Sequence, residues 1–130
     1  MTNYSKTSHL PWYKNTTKIE IVELPKKITS IESCAFRDCK NLKTIKIPES
    51  VTSIGSYAFS DCQSLKSLSI PKYVTKISEY MFEGCFNLSA IEMLGEVTEI
   101  DMLAFRNCYK LPESVTLIKE QAFFACRKLQ

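Results

Sequence analysis

The chain has 130 residues, 45% of them hydrophobic, and its 17 basic and 14 acidic side chains leave a formal charge of +3. This length predicts one domain with a sizeable core, and so mild and scattered a charge argues against nucleic-acid binding. No apolar run approaches the roughly 18 residues that a membrane-spanning helix needs, so membrane insertion is not expected.

Residues 1–24 begin with a polar tail that lacks the apolar core of a secretory signal peptide. Counting back from Ile19 places Trp12 and Tyr13 in two apolar columns that recur later in the chain. We therefore interpret residues 12–24 as a decayed repeat that caps the N-terminal end of the core. A loose polar tail is the alternative interpretation.

The rest of the chain repeats one pattern of apolar positions with a period of 23 residues. Three full copies and then two shortened copies occupy residues 25–47, 48–70, 71–93, 94–111 and 112–130. A fixed period of this size predicts a solenoid, because each unit buries its apolar face only by stacking on a neighbour.

Two periods coexist within one unit, as residues 48–70 illustrate. The first is the spacing i, i+1, i+4 and i+7 of one helical face, which is occupied by Ala58, Phe59, Cys62 and Leu65. This spacing predicts a short helical turn. Leu68 and Ile70 alternate with serines, which predicts a strand with one buried face. We therefore expect neighbouring parallel strands over residues 19–24, 43–47, 66–70 and 89–93, and a second extended segment after each proline turn.

The strand spacing of Leu42, Ile45 and Ile47 resembles that of leucine-rich repeats, and the pattern IPxSVTxIGxxAFxxCxxLxxI resembles the BspA-like class over residues 25–130. This resemblance implies an α/β fold: a right-handed leucine-rich repeat solenoid with a parallel concave β-sheet, short helical turns and extended segments on the other faces. It also implies a non-enzymatic protein–protein interaction module, used for adhesion or for host and surface recognition. Leu94 departs from the pattern, which has proline there.

The outward face of the predicted sheet is the candidate surface for binding a protein partner. Its residues are Glu20, Glu23, Lys43, Thr44, Lys46, Lys66, Ser67, Ser69, Ser89, Ala90 and Glu92. The middle of this face is basic and its ends are acidic. A second candidate face, richer in aromatic anchors, carries Tyr57, Tyr73, Tyr80 and Phe86.

No catalytic, metal-binding or cofactor-binding residues are predicted. The recurring cysteines, one in each copy, have neither zinc-site spacing nor a nearby histidine. We interpret them as small buried hydrophobic residues, although disulfides between stacked neighbours are not forbidden by geometry. Cys34 lies outside this column and is expected to be partly exposed. The only histidine, His9, has no nucleophile near it in the sequence.

The fourth copy is short because Leu111 is followed directly by Pro112, so the residues that match Lys43 to Ile47 are absent. No regular strand is expected there. The last layer of the core has no following repeat, so residues 119–130 are expected to mediate self-association.

The alternative to a binding module is a structural fragment of a larger repeat protein without its own partner. Reduced thiols and the missing signal peptide favour the cytosol, whereas the family resemblance implies a cell surface.

Overall fold

The computed structural model describes the backbone of residues 3–4 and all of residues 18–101 and 103–110. The predicted cap residues Trp12 and Tyr13, the junction at Pro112 and the predicted self-association segment lie outside the described residues. Nine short strands occur in chain order: β1 (Asn3–Tyr4), β2 (Ile21–Glu23), β3 (Ser30–Ile31), β4 (Thr44–Lys46), β5 (Ser53–Ile54), β6 (Ser67–Ile70), β7 (Lys76–Ile77), β8 (Ala90–Met93) and β9 (Glu99–Ile100).

The even-numbered strands are the predicted sheet strands, and they pair in parallel. β2 pairs with β4 so that Val22 lies beside Ile45, and β6 pairs with β8 so that Leu68 lies beside Ile91. Along β6, exposed serines alternate with buried Leu68 and Ile70, as expected for a strand with one buried face. Each repeat therefore presents a polar outer surface above an apolar inner surface.

The prediction of one continuous sheet is wrong between β4 and β6, which lie side by side without a strand ladder. The spacing of the core does not account for this break. The Phe36 and Phe59 rings lie 5.6 Å apart at the junction of β4 and β6, and the Phe59 and Phe82 rings lie 5.7 Å apart at the junction where β6 and β8 do pair. Among the described residues, the predicted sheet strands thus form two separate pairs.

The odd-numbered strands form a second set of parallel ladders, with β1, β3 and β5 in one sheet and β7 and β9 in another. Strands β3, β5, β7 and β9 lie in the predicted extended segments, whereas β1 lies in the predicted polar tail, where no strand was expected. Threonine hydroxyls bond along this stack, from Thr52 to the Thr29 carbonyl at 3.3 Å and from Thr98 to the Thr75 carbonyl at 3.4 Å. The ladder is interrupted after β5 because the Ser78 hydroxyl donates to the Ile54 carbonyl at 2.7 Å.

The predicted helical turn is not formed, and the described residues contain no helix. Consecutive β-turns replace it, closed by bonds from the amide of Ala35 to the Glu32 carbonyl and from Cys39 to Phe36. Cys34 and Asp38 within these turns have φ of 64°, a left-handed conformation that a right-handed helix does not contain. The amide of Phe36 instead donates sideways to the Ala58 carbonyl of the next repeat at 2.8 Å.

The predicted columns form the core. Phe36, Phe59, Phe82 and Phe105 are fully buried and stack ring on ring along the solenoid. The column cysteines within the described residues are also fully buried. The thiols of the last three donate hydrogen bonds to phenylalanine carbonyls of the preceding repeat. The bonds run from Cys62 to Phe36 at 3.2 Å, from Cys85 to Phe59 at 3.1 Å and from Cys108 to Phe82 at 3.0 Å. The cysteine side chain thus acts as a small hydrophobic residue with one weak donor.

The departure from proline at Leu94 adds a hydrogen bond. Proline has no amide hydrogen, but the Leu94 amide donates to the Ile70 carbonyl at 3.1 Å and extends the β6–β8 ladder by one bond. The next residue, Gly95, lies so close to the Lys72 backbone that a Cβ there would collide with the Lys72 carbonyl oxygen.

Candidate functional site

The structure places all eleven residues of the predicted binding surface on the outer side of the β2, β4, β6 and β8 segments. We call this surface the strand face; it comprises Glu20, Glu23, Lys43, Thr44, Lys46, Lys66, Ser67, Ser69, Ser89, Ala90 and Glu92. All eleven side chains are exposed. Within the strands this orientation follows from the period of two, because the residues between the outward side chains point into the core. Lys43, Lys66 and Ser89 directly precede these strands and are exposed as well.

The first end of the strand face is a charged pair. The Nζ atom of Lys43 lies 2.7 Å from the Glu20 carboxylate. The hydrogen bond from Lys43, together with its positive charge, lowers the pKa of the Glu20 carboxyl. Among the described residues, Lys46 and Lys66 form no ion pair. The middle of the face therefore carries positive charge that is not neutralised by a neighbour.

The other end of the strand face is more polar and less basic. The Ser69 hydroxyl donates to the Glu92 carboxylate at 3.1 Å, and the Ser89 hydroxyl donates to the Lys66 carbonyl at 3.3 Å. Ala90 lies between them and presents only a methyl group. These short side chains leave the backbone of β8 accessible from the face.

Two apolar features lie beside the strand face: Ile21, which the strand pattern also predicts to face outward, and a groove that the sequence does not predict. Ile21 is 76% exposed, the largest exposed fraction among the large hydrophobic residues of the described chain. A groove of about 360 Å³ follows the ends of β2 and β4 and is lined by Glu23, Leu24, Lys26, Lys46, Ile47, Pro48, Glu49 and Ser50. The groove arises where two neighbouring proline turns diverge, which a repeating pattern does not encode.

The aromatic residues of the second candidate face do not form one surface. Tyr57 and Tyr80 stack on the turns with ring centroids 4.9 Å apart, and the Arg37 guanidinium lies 4.9 Å from the Tyr57 ring. Tyr73 is 59% exposed at a proline turn. Phe86 stacks on Tyr109 instead, at 5.7 Å. This last pair became adjacent through repeat stacking, since the two residues are 23 positions apart.

The cysteines and acidic residues form no reactive cluster in the described chain. The five described cysteines carry thiols and form no disulfide, and Cys34 is half-buried. Burial raises the pKa of the Cys62 and Cys85 thiols well above its ordinary value. Burial and the neighbouring Asp38 raise the pKa of the Asp61 carboxyl.

Residues 18–101 and 103–110 contain no group of histidine, cysteine and acidic side chains arranged to hold a metal ion. Within the same residues, no helix has the length and apolarity to cross a bilayer.

Comparisons with known proteins agree with this architecture. The sequence pattern of the BspA type leucine rich repeat region matches residues 11–130 in six copies. The crystal structure of the T. pallidum leucine rich repeat protein superposes with a TM-score of 0.74 and 31% identity, over 87% of this chain and 50% of that chain. This chain thus spans half the length of that protein. A leucine rich cell surface protein from Faecalibacterium prausnitzii A2-165 is 23% identical, over 71% of this chain and 37% of that chain, with a TM-score of 0.43.

No curated protein sequence matches the chain. The family pattern nevertheless covers nearly all of the sequence, and the parallel strand pairs, buried columns and 23-residue period are those of the family's repeat. The fold is one that generally serves protein interaction. The chain belongs to the BspA-type leucine-rich repeat family.

Proposed function

We propose that the chain is a non-enzymatic protein-binding module that recognises its partner through the strand face, in adhesion or in recognition at a cell surface. The observation that carries this proposal is the continuous exposure of eleven outward side chains on a rigid stack of repeats. Strand side chains on a packed scaffold offer a pre-organised surface, which lowers the entropic cost of binding.

The charge distribution favours a partner with an acidic patch. Lys46 and Lys66 lie near the centre of the face, whereas Glu20 and Glu92 lie at its two ends. Complementary charge increases the association rate and selects against partners of like charge. The half-apolar groove beside β4 and the exposed Ile21 side chain supply apolar contact area next to these lysines.

The test is a quantitative capture experiment with paired variants. The face variant carries Lys43→Glu, Lys46→Glu and Lys66→Glu. We expect it to lose most of the partner captured by the unaltered chain, and to bind the purified partner at least about tenfold more weakly, because charge reversal at an interface costs several kcal/mol.

The matched control variant reverses three exposed lysines away from the strand face, Lys27→Glu, Lys40→Glu and Lys72→Glu. It has the same net charge as the face variant. A difference in captured partner between the two variants therefore arises from the strand face and not from the total charge. Equal loss in both variants, or capture that neither variant changes, would contradict the proposal. Unchanged capture would favour binding through another face, whereas no captured protein at all would contradict the proposal in favour of a structural segment without its own partner.

A further inference from the structure

The outer edge of β8 is a strand edge without a partner in the described chain. In the β6–β8 pair, the Ala90 amide donates to the Lys66 carbonyl and the Leu94 amide donates to the Ile70 carbonyl. In a parallel ladder the residues between these donors direct their amide and carbonyl groups to the opposite side. The backbone groups of Ile91 and Met93 therefore point away from β6. Within residues 18–101 and 103–110, no strand pairs with them.

The sequence supplies no strand for this position in the usual register, because Leu111 is followed directly by Pro112. On the opposite side of the solenoid, however, the fourth repeat stacks normally. The Phe82 amide donates to the Ala104 carbonyl at 2.8 Å, and the Phe105 ring lies 5.3 Å from the Phe82 ring. Among the described residues, the fourth repeat thus has its turn but no strand, and we call the position beside the outer edge of β8 the gap.

The apolar side chains at this edge are incompletely covered. Leu68 and Ile70 of β6 are buried, at 5% and 0% exposure, whereas their equivalents Ile91 and Met93 are only half-buried. Ile100 of the fourth repeat is half-buried too. A neighbouring strand with apolar residues at the same two positions would complete the burial that the other repeats show.

We propose that an extended segment of a partner protein binds in this gap as an additional parallel strand against β8. The proposal rests on the proposed function, since the ligand is a protein segment, but it uses the backbone edge of β8 and not the lysines of the strand face. Strand addition takes its affinity from main-chain hydrogen bonds and its selectivity from alternate side chains.

The neighbouring repeats define the sequence that the gap accepts. The absent segment corresponds to five residues, with polar outward side chains at its first, second and fourth positions and apolar inward side chains at its third and fifth, as in residues 43–47. Its fourth residue would lie beside Glu92, as Lys46 lies beside Glu23 in the observed register. A basic residue is therefore favoured at that position because opposite charges on directly adjacent strand residues attract, even without a direct ion pair, which Lys46 and Glu23 do not form.

The chain itself provides the probe. A synthetic peptide with the sequence of residues 41–50, NLKTIKIPES, contains the required pattern. Titrating it into the isotopically labelled full chain should give saturable one-to-one binding. We expect the amide signals of Ile91 and Met93 to shift, and their hydrogen exchange to be fast in the free chain and slow in the complex.

Backbone methylation of the peptide is the decisive comparison, because it leaves the protein unaltered. In the native repeat the Thr44 amide bonds back to the Glu20 carbonyl, so the peptide amides of Thr44 and Lys46 would face β8 while that of Ile45 would face away. N-methylation at Lys46 should weaken binding about tenfold or more. N-methylation at Ile45 should change it less than about threefold, and equal effects of the two modifications would overturn the proposal.

A charge exchange tests the predicted register. The peptide with Lys46→Glu should bind about twofold to fivefold more weakly, and Glu92→Lys in the protein should restore its affinity. Failure of the exchange to restore affinity would contradict this placement of the peptide.

Other occupants of the edge give different results. If residues 111–130 of the chain cover it, the Ile91 and Met93 amides are protected before peptide is added and the peptide does not bind. If a second copy covers it, protection depends on chain concentration without peptide. Either result overturns the proposal. The strand-face variant with Lys43→Glu, Lys46→Glu and Lys66→Glu should still bind the peptide. Failure of the strand-addition proposal can therefore be distinguished from failure of the proposed function.

Discussion

The turn side and the strand side of the solenoid differ in how successive repeats are joined. On the turn side, backbone bonds cross all three described junctions, for example from Phe36 to Ala58, from Phe59 to Met81 and from Phe82 to Ala104. On the strand side, β2–β4 and β6–β8 are joined, but β4 and β6 are not.

The difference indicates that register and spacing are set by the turns. The turns contain the fully buried phenylalanine and cysteine columns, whose rings and thiols contact the adjacent repeat directly. Along each strand, one row of side chains is apolar and points into the core, and the alternate row is exposed to solvent, as in β6. Their outer residues are therefore free to differ between repeats, as a surface that binds a specific partner requires.

Truncation of a turn-side ring should have the largest effect. Phe59 is fully buried between Phe36 and Phe82, so Phe59→Ala should lower the free energy of unfolding by about 3–5 kcal/mol. Urea denaturation monitored by circular dichroism measures it. A loss below about 0.5 kcal/mol, the size expected for a surface residue, would show that the turns do not set the stacking.

Gly95→Ala should have the next largest effect. The added methyl group would meet the Lys72 carbonyl oxygen, a backbone atom that cannot rotate away. We expect a loss of about 1–3 kcal/mol in the same urea experiment. Glu96→Ala, at the exposed neighbouring position, is the matched control and should change the free energy of unfolding by less than about 0.5 kcal/mol.

The buried thiols should make the stability depend on alkaline pH. Burial raises the pKa of Cys62 and Cys85 well above the ordinary value of 9.0, so above that pH the unfolded chain releases protons that the folded chain retains. Their contribution to the free energy of unfolding is constant below pH 9 and falls above it, by up to about 1.4 kcal/mol per pH unit for each thiol. Urea titrations between pH 7 and 10 measure this slope.

The double variant Cys62→Ala and Cys85→Ala should show a shallower slope than the unaltered chain. The same burial predicts that a thiol reagent labels half-buried Cys34 first in the native chain. Rapid native labelling of Cys62 or Cys85 would contradict both expectations.

Ser60→Ala should raise stability on the turn side. Ser60 is fully buried, and its hydroxyl has no hydrogen-bond partner among the described residues. Removing the hydroxyl should increase the free energy of unfolding by about 1 kcal/mol, because a buried polar group without a partner is unfavourable. A decrease of that size would mean that the hydroxyl has a partner in solution.

Ser69→Ala should have the smallest effect. The Ser69 hydroxyl bonds to Glu92 at 3.1 Å on the exposed strand face, where water can replace it. The free energy of unfolding should change by less than about 0.5 kcal/mol. A loss above 1 kcal/mol would show that the strand face contributes to stability as the turns do.

The sequence by itself determined the columns, the strand positions and the outward residues of the strand face. Phe59, Cys62 and Leu68 are buried as their spacing predicts, because burial in a repeat depends on periodicity that is visible in one unit. Strands β2, β4, β6 and β8 lie within the predicted segments for the same reason, whereas β1 lies in the tail, where no strand was predicted. The boundaries of the single domain over residues 1–130 and the role of residues 12–24 stay predictions.

Tertiary structure alone decided the turn conformation, the division of the sheet and the open edge of β8. The spacing of Ala58, Phe59, Cys62 and Leu65 fits a helix, but the Phe59 amide bonds to Met81 of the next repeat. Likewise the Ser78 hydroxyl interrupts a ladder by bonding to Ile54, 24 residues away. These hydrogen bonds join residues a full repeat apart, and they form only when the repeats stack. A local sequence pattern therefore predicts which side chains are buried but not which carbonyl accepts each amide hydrogen.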